Sequence, residues 1–223
     1  MKKIFFLGNS YTFFNDMPVI FENLVKNAGY EVKVDKVTKG GCILRRYLEK
    51  GDEWGDRFFS TFESDNWDYI ILQEQSKRPA VEEDEFASAA HELCEYVRSK
   101  GTEPVFYQTW PYRNGTEKLA TTECSYVQFY QKLRDSYRRA AARDHADLVP
   151  IGEVFYRVSL HHPEIDLLLP DDFHPNIHGS YLIAIMFLFH FYGADTPVNY
   201  RPEEITEEEA NTIISAIKET IKG

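Results

Sequence analysis

The 223-residue chain sets 25 Lys and Arg against 36 Asp and Glu, a formal net charge of −11. Binding phosphates requires a basic face, so this balance excludes nucleic acid as the expected partner. With 43% hydrophobic and 27% charged residues the composition is that of an ordinary soluble globular protein, long enough to bury a sizeable core.

The most apolar stretch, YLIAIMFLFHFYG, carries His190 and falls short of the roughly 18 apolar residues of a membrane span, so no membrane partner is expected. After Met1-Lys2-Lys3 the apolar run lasts only about five residues, too short for a secretory segment. Cys42, Cys94 and Cys124 form no CxxC and no metal-ligand spacing, which predicts reduced thiols and a cytoplasmic location. No repeat, low-complexity tract or linker divides the chain, and residues 1–223 are expected to form a single domain.

In chain order, apolar periodicity alternates short runs with amphipathic segments. KIFFLG reads as a strand. MPVIFENLVKNAG reads as a helix with Asp16 as acidic N-cap and a glycine stop. EVKVDKVT alternates as a strand and ends at Gly40-Gly41, ILRRYLEKG is a short helix, and WDYIILQ is a buried strand. EEDEFASAAHELCEYVRSKG is a helix, EPVFYQTW a fourth strand, and a long helix spans about Thr121 to Arg143. ADLVPIG is a short fifth strand, followed by helices in HGSYLIAIMFLFHFYG and EEITEEEANTIISAIKETIKG.

Strands separated by helices imply right-handed crossovers and a parallel sheet covered on both faces, hence an α/β fold. In such sheets ligands bind beyond the carboxyl ends of the strands. Those ends hold Gly8-Asn9-Ser10, Gly40-Gly41, Gln73-Glu74-Gln75-Ser76 and Thr109-Trp110-Pro111, which together suggest one site on one rim.

A serine hydroxyl is a weak nucleophile that needs a base for its proton and donors for the oxyanion it creates. Ser10 lies just past the first strand, either as such a nucleophile or as an ordinary turn serine. Near the other end, Asp171 and His174 lie three apart in LLLPDDFHPNIHGSYLIA. A carboxylate at that spacing can bond the near imidazole nitrogen and leave the far one free as a base. Pro175 or Asn176 then opens the following helix.

The blocks GNSYT, KGGCIL and DDFHPN, in that order along nearly the whole chain, resemble the SGNH family of GDSL-like hydrolases. The resemblance implies a flavodoxin-like three-layer α/β/α sandwich with a mostly parallel five-stranded sheet, and hydrolysis of acyl esters. It implies Ser10 as nucleophile, His174 as general base and acid, and Asp171 as the group orienting His174; Asp172 is left as a loop residue. One block departs from the family. Where Gly-x-Asn-Asp is usual, this chain has ILQEQS, which resembles a carbohydrate-esterase branch in which glutamine supplies the oxyanion amide. Gln73 takes that role in the alignment, with Gln75 as the alternative, beside the backbone amides of Ser10 and of Gly41 or Gly40.

For the substrate, the expectation is a small acyl ester, acetyl in particular, carried on a sugar-like alcohol. Tyr11 and Trp110 are candidate stacking platforms for a sugar face, with Gln75 as a polar contact. No cofactor is called for. Two rivals remain open: a metal-dependent hydrolase using His174 and His178, which are four apart, and a carbohydrate-binding module without turnover. Arg45 or Arg46, just after the glycine block, is a candidate for an anionic substrate group.

Overall fold

A computed structural model describes residues 1–222 of the chain. Five strands, β1 (Lys2–Gly8), β2 (Val32–Thr38), β3 (Tyr69–Leu72), β4 (Glu103–Tyr107) and β5 (Asp147–Val149), form one sheet in the order β2-β1-β3-β4-β5. Every pairing is parallel. The helices are α1 (Ser10–Phe13), α2 (Met17–Asn27), α3 (Leu44–Tyr47), α4 (Glu53–Phe62), α5 (Arg78–Val81) and α6 (Glu83–Ser99). They continue as α7 (Glu117–Ala120), α8 (Tyr126–Asp144), α9 (Ile151–His161), α10 (Ile177–Tyr192) and α11 (Glu207–Lys222).

The sheet is covered on both faces, and β1 shows why its sequence is uniformly apolar. Ile4 and Phe6 join one core cluster with α2, α9, α10 and α11, whereas Phe5 and Leu7 join a second with α3, α4, α6 and α8. A strand buried on both sides has no polar alternation to display. The result is the expected flavodoxin-like three-layer α/β/α sandwich, here entirely parallel.

Helix α10 is buried continuously from Gly179 to Phe189, because it lies between the sheet and the neighbouring helices α2, α9 and α11. A helix apolar on all sides is a core helix. Among the described residues no helix is long and apolar enough to cross a membrane.

Three local readings change. Asp16 does not cap α2: it sits in the left-handed region at φ 49° and accepts no cap hydrogen bond, and Pro18 in the first turn fixes the helix start instead. The helix expected from about Thr121 is α8, and it starts later, after Ser125, where Ser125 and Gln128 form a reciprocal capping box. Helices α4 and α9 were not anticipated. Both are short and amphipathic, with aromatic and β-branched residues that weaken a helical reading until the sheet supplies a surface for them.

The order 2-1-3-4-5 reverses direction at β1, which has β2 on one side and β3 on the other. Chain connections leave β1 and β3 toward opposite faces of the sheet, opening a crevice at their carboxyl ends. Gly8-Asn9-Ser10 follows β1 and Gln73-Glu74-Gln75-Ser76 follows β3, so the fold itself brings these two loops together.

Candidate active site

Asn9 builds the turn that carries Ser10. Its side-chain oxygen accepts from the Tyr11 amide at 3.2 Å, capping α1, and its Nδ2 donates to the Cys42 carbonyl at 3.0 Å. One residue thus fixes the serine turn and ties it to the glycine loop after β2. Gly8 must lack a side chain here: a Cβ would stand 2.6 Å from both the Gln73 Oε1 and the Thr12 Oγ1. Gly41 adopts φ 68°, a left-handed conformation that suits glycine.

Ser10 is 8% exposed at the rim. Its Oγ lies 2.8 Å from the His174 Nε2, and the His174 Nδ1 lies 2.6 Å from the Asp171 Oδ2. The Asp171 Oδ1 accepts from the backbone amides of Phe173 at 3.2 Å and His174 at 3.0 Å. Partial burial disfavours the Asp171 charge, but the ring and backbone donors outweigh it and hold the carboxyl below its ordinary range. An ionised Asp171 requires a proton on Nδ1, which leaves Nε2 as the acceptor facing Ser10. The structure therefore brings Ser10, His174 and Asp171 together in the order a proton relay needs.

The loop bearing Asp171 and His174 is held at several points. Arg113 donates from Nε to Asp172 Oδ1 at 2.9 Å and from Nη2 to Asp166 Oδ2 at 3.0 Å, bridging the loop from the far side. Asn15 donates to the Pro175 carbonyl at 3.1 Å. Asn176 caps α10 by accepting from the Gly179 amide at 3.0 Å, so Asn176 and not Pro175 stands at the cap. The Phe14 ring lies on the His174 ring, 4.4 Å between centroids and 17° between planes. Asn9 was readable as an Asx cap beside the serine; Phe14, Asn15 and Arg113 act over long sequence separations and carried no local signal.

Four expected roles are corrected. Gln73 is fully buried and uses its whole amide internally. Its Oε1 accepts from the Asn9 amide at 2.8 Å and the Thr12 hydroxyl at 2.9 Å, while its Nε2 donates to Asn9 Oδ1 at 3.0 Å and the Glu74 carbonyl at 2.5 Å. Both hydrogens and both lone pairs are taken, so Gln73 has no donor left for an oxyanion. Gln75 does: it is partly exposed, and only one Nε2 bond, to Ser76 Oγ at 3.0 Å, is made.

Trp110 and Tyr11 are not sugar platforms either, being 0% and 1% exposed. Trp110 is sandwiched between Tyr11 at 4.2 Å and Phe155 at 4.1 Å, both stacked nearly parallel to it, and its Nε1 donates to the Phe173 carbonyl at 3.1 Å. Their role is to support the residue preceding His174.

The fourth correction concerns the His174/His178 pair. Both ring nitrogens of His174 are engaged by Asp171 and Ser10, while the His178 Nε2 faces Glu209 on α11 at 3.2 Å. The two rings do not converge, and among the described residues no group of three or more His, Cys, Asp or Glu is placed to hold a metal. Arg45 is paired with Glu92 at 2.6 Å and Arg46 with Asp52 at 3.0 Å. His91 on α6 is exposed, and its Nδ1 lies 2.7 Å from the buried Asp144 Oδ1.

No protein-family model and no curated protein matches this chain. Solved structures do. A protein from Slackia heliotrinireducens proposed to be an SGNH hydrolase shares 29% identity and a TM-score of 0.73, over 83% of this chain and 96% of its own. A DUF4886 family protein from Bacteroides uniformis superposes with a TM-score of 0.80 at 18% identity, over 99% of this chain and 94% of its own. The acetyl xylan esterase AlAXEase gives a TM-score of 0.61 at 15% identity, over 84% of this chain and 98% of its own. The chain has the fold of the SGNH/GDSL-like hydrolases, and its serine, glycine and Asp-x-x-His blocks stand on that fold at one rim of the sheet.

Proposed function

We propose that the protein is a serine esterase that hydrolyses small acyl esters, acetyl esters above all, on alcohols of sugar-like polarity. The observation that carries this reading is the continuous Ser10–His174–Asp171 relay, with heavy-atom distances of 2.8 Å and 2.6 Å. Ser10 Oγ attacks the ester carbonyl as His174 Nε2 takes its proton, and Asp171 holds the imidazolium that forms. The tetrahedral oxyanion is met by the backbone amides of Ser10 and Gly41 and by the free N–H of Gln75. Collapse of the intermediate expels the alcohol, which receives the proton from His174 and leaves an acyl-enzyme on Ser10. Water then repeats the sequence and releases the acid.

Two features support a short acyl group. The Phe13 and Phe14 rings stack at 5.6 Å directly after the nucleophile turn, and the Phe13 ring would lie 3.9 Å from a Cβ placed on Gly40. Both rings stand beside the relay, Phe14 against His174 and Phe13 toward the glycine loop. The fold shared with an acetyl xylan esterase is consistent with an acetylated sugar as substrate.

The test is turnover of p-nitrophenyl acetate, butyrate and octanoate, followed by acetylated xylo-oligosaccharides and acetylated hexoses. The expected result is hydrolysis of the acetate ester with rates that fall as the chain lengthens, and acetate release from at least one sugar. A rate that rises toward octanoate contradicts the small-acyl reading; no hydrolysis of any ester contradicts the esterase reading.

A further inference from the structure

Glu74 lies between the two loops assigned to oxyanion binding, yet it touches neither Ser10 nor His174. It is 1% exposed. Its Oε1 accepts from the Gln75 amide at 2.6 Å and from the Leu44 amide at 3.3 Å, and its Oε2 lies 3.4 Å from the same Leu44 amide. Gln75 carries the side-chain donor after β3, and Leu44 is the first residue of the helix that follows Gly40-Gly41-Cys42. One carboxyl group therefore joins the two backbones that hold Gln75 and Gly41.

We propose that Glu74 is a positioning residue for the oxyanion hole: its carboxylate clamps the Gln75 loop to the glycine loop and sets the spacing of their donors. The proposal rests on the serine-esterase reading above. An apolar residue would fill the same space in the core without desolvating a charge, so retention of a carboxyl here needs a reason beyond packing. The hydrogen bonds supply one, since a backbone amide bonded to a carboxylate is held more firmly than one bonded to a neutral acceptor.

Burial raises the Glu74 carboxyl to about 7, opposed by the Gln75 and Leu44 amides and by Arg78. The titratable or charged groups facing it are Arg78 and Glu82 from α5 and its end, Cys42 from the glycine loop, and Tyr137 from α8. Glu82 disfavours its ionisation and Arg78 favours it. The clamp is consequently strong above neutral pH and weakens as the carboxylate takes up a proton below it.

The experiment compares wild type, Glu74→Gln and Glu74→Leu in the full chain. Kinetics on p-nitrophenyl acetate are followed from pH 5 to pH 9, alongside thermal unfolding. Gln retains one acceptor oxygen, whereas Leu retains none. The expected result is a fall in kcat at pH 8 of about tenfold for Gln and about a hundredfold for Leu, with KM changed less than about threefold. Glu74→Gln should unfold no earlier than wild type at pH 8, because it removes a buried charge and keeps an acceptor oxygen, whereas Glu74→Leu strands the Gln75 and Leu44 amides and should unfold earlier. The wild-type kcat profile should also carry an added loss as Glu74 takes up a proton near pH 7, on top of the acid limb common to all three proteins.

Active wild type with both variants within about twofold in kcat and unchanged in pH profile overturns the clamp while leaving the esterase reading intact. A kcat loss in Glu74→Gln accompanied by early unfolding of that variant at pH 8 also overturns it, since the residue would then be structural. Wild type without turnover, and without labelling of Ser10 by a fluorophosphonate, overturns the esterase reading and the clamp with it.

Discussion

The loops after β1 and β3 share one rim of the sheet, but they differ in how they present their chemistry. After β1 the serine hydroxyl reaches the rim: Ser10, 8% exposed, opens α1 and meets His174 directly. After β3 the most conspicuous polar residues, Gln73 and Glu74, are turned inward, and only Gln75 remains partly exposed. On the serine-esterase reading proposed above, the first loop performs a step and the second holds a geometry. Residue type alone does not separate these roles, because a glutamine that donates to a substrate and one that organises a turn read identically until their partners are known.

The sharpest way to break this contrast is at the relay. Ser10→Ala and His174→Ala should each lower kcat/KM on p-nitrophenyl acetate by about 10⁴-fold or more, with far-ultraviolet circular dichroism unchanged. Residual activity near wild type in either variant would mean that the loop after β1 carries no reacting group.

The supporting aromatic layer should fail differently. Trp110→Ala opens a cavity between Tyr11 and Phe155 and frees the Phe173 carbonyl, and is expected to cost about 3–5 kcal/mol of stability, read by urea unfolding. If Trp110 were instead a substrate platform, stability would hold and KM would rise.

A paired comparison tests the loop after β3. Gln75→Ala should reduce kcat by about 10²–10³-fold with stability nearly unchanged, as removal of one oxyanion donor does. Gln73→Ala should destabilise the fold by about 1–3 kcal/mol or more, because it strands the Asn9 amide and the Thr12 hydroxyl inside the protein. Reversed phenotypes would return the donor role to Gln73.

A smaller loss than at Ser10 or His174 is expected at Asp171. Asp171→Asn keeps the loop bonds but favours the wrong imidazole tautomer, so kcat should fall less than in Ser10→Ala or His174→Ala. Since hydrogen bonds hold the Asp171 carboxyl below its ordinary range, wild type keeps that orienting charge above the usual carboxylate pKa and loses it only as pH falls through the lowered value. An acid limb of kcat in Asp171→Asn identical to that of wild type, with no loss of rate, would remove Asp171 from the relay.

The layers of the fold and the relay were both legible in the sequence, for related physical reasons. Apolar runs such as FFL and YIIL reflect strands covered on both faces, and Asp171 with His174 is a local pair whose geometry follows from a three-residue spacing. Ser10 needed the resemblance of three separated blocks to join that pair. What stayed hidden depends on long-range packing. Trp110 looks like a platform on a loop until Phe155 from α9 closes over it. Gln73 looks like a donor until Asn9 and Thr12 take up its amide. Arg113 holds the Asp/His loop from a segment with no motif at all.

The most direct test of the account is intact-mass analysis after treatment with a fluorophosphonate, run on wild type and Ser10→Ala with peptide mapping of any adduct. The account predicts one adduct per chain, located on Ser10, absent from the variant and accompanied by loss of p-nitrophenyl acetate turnover. An adduct on another residue, or undiminished labelling and turnover in Ser10→Ala, would contradict it.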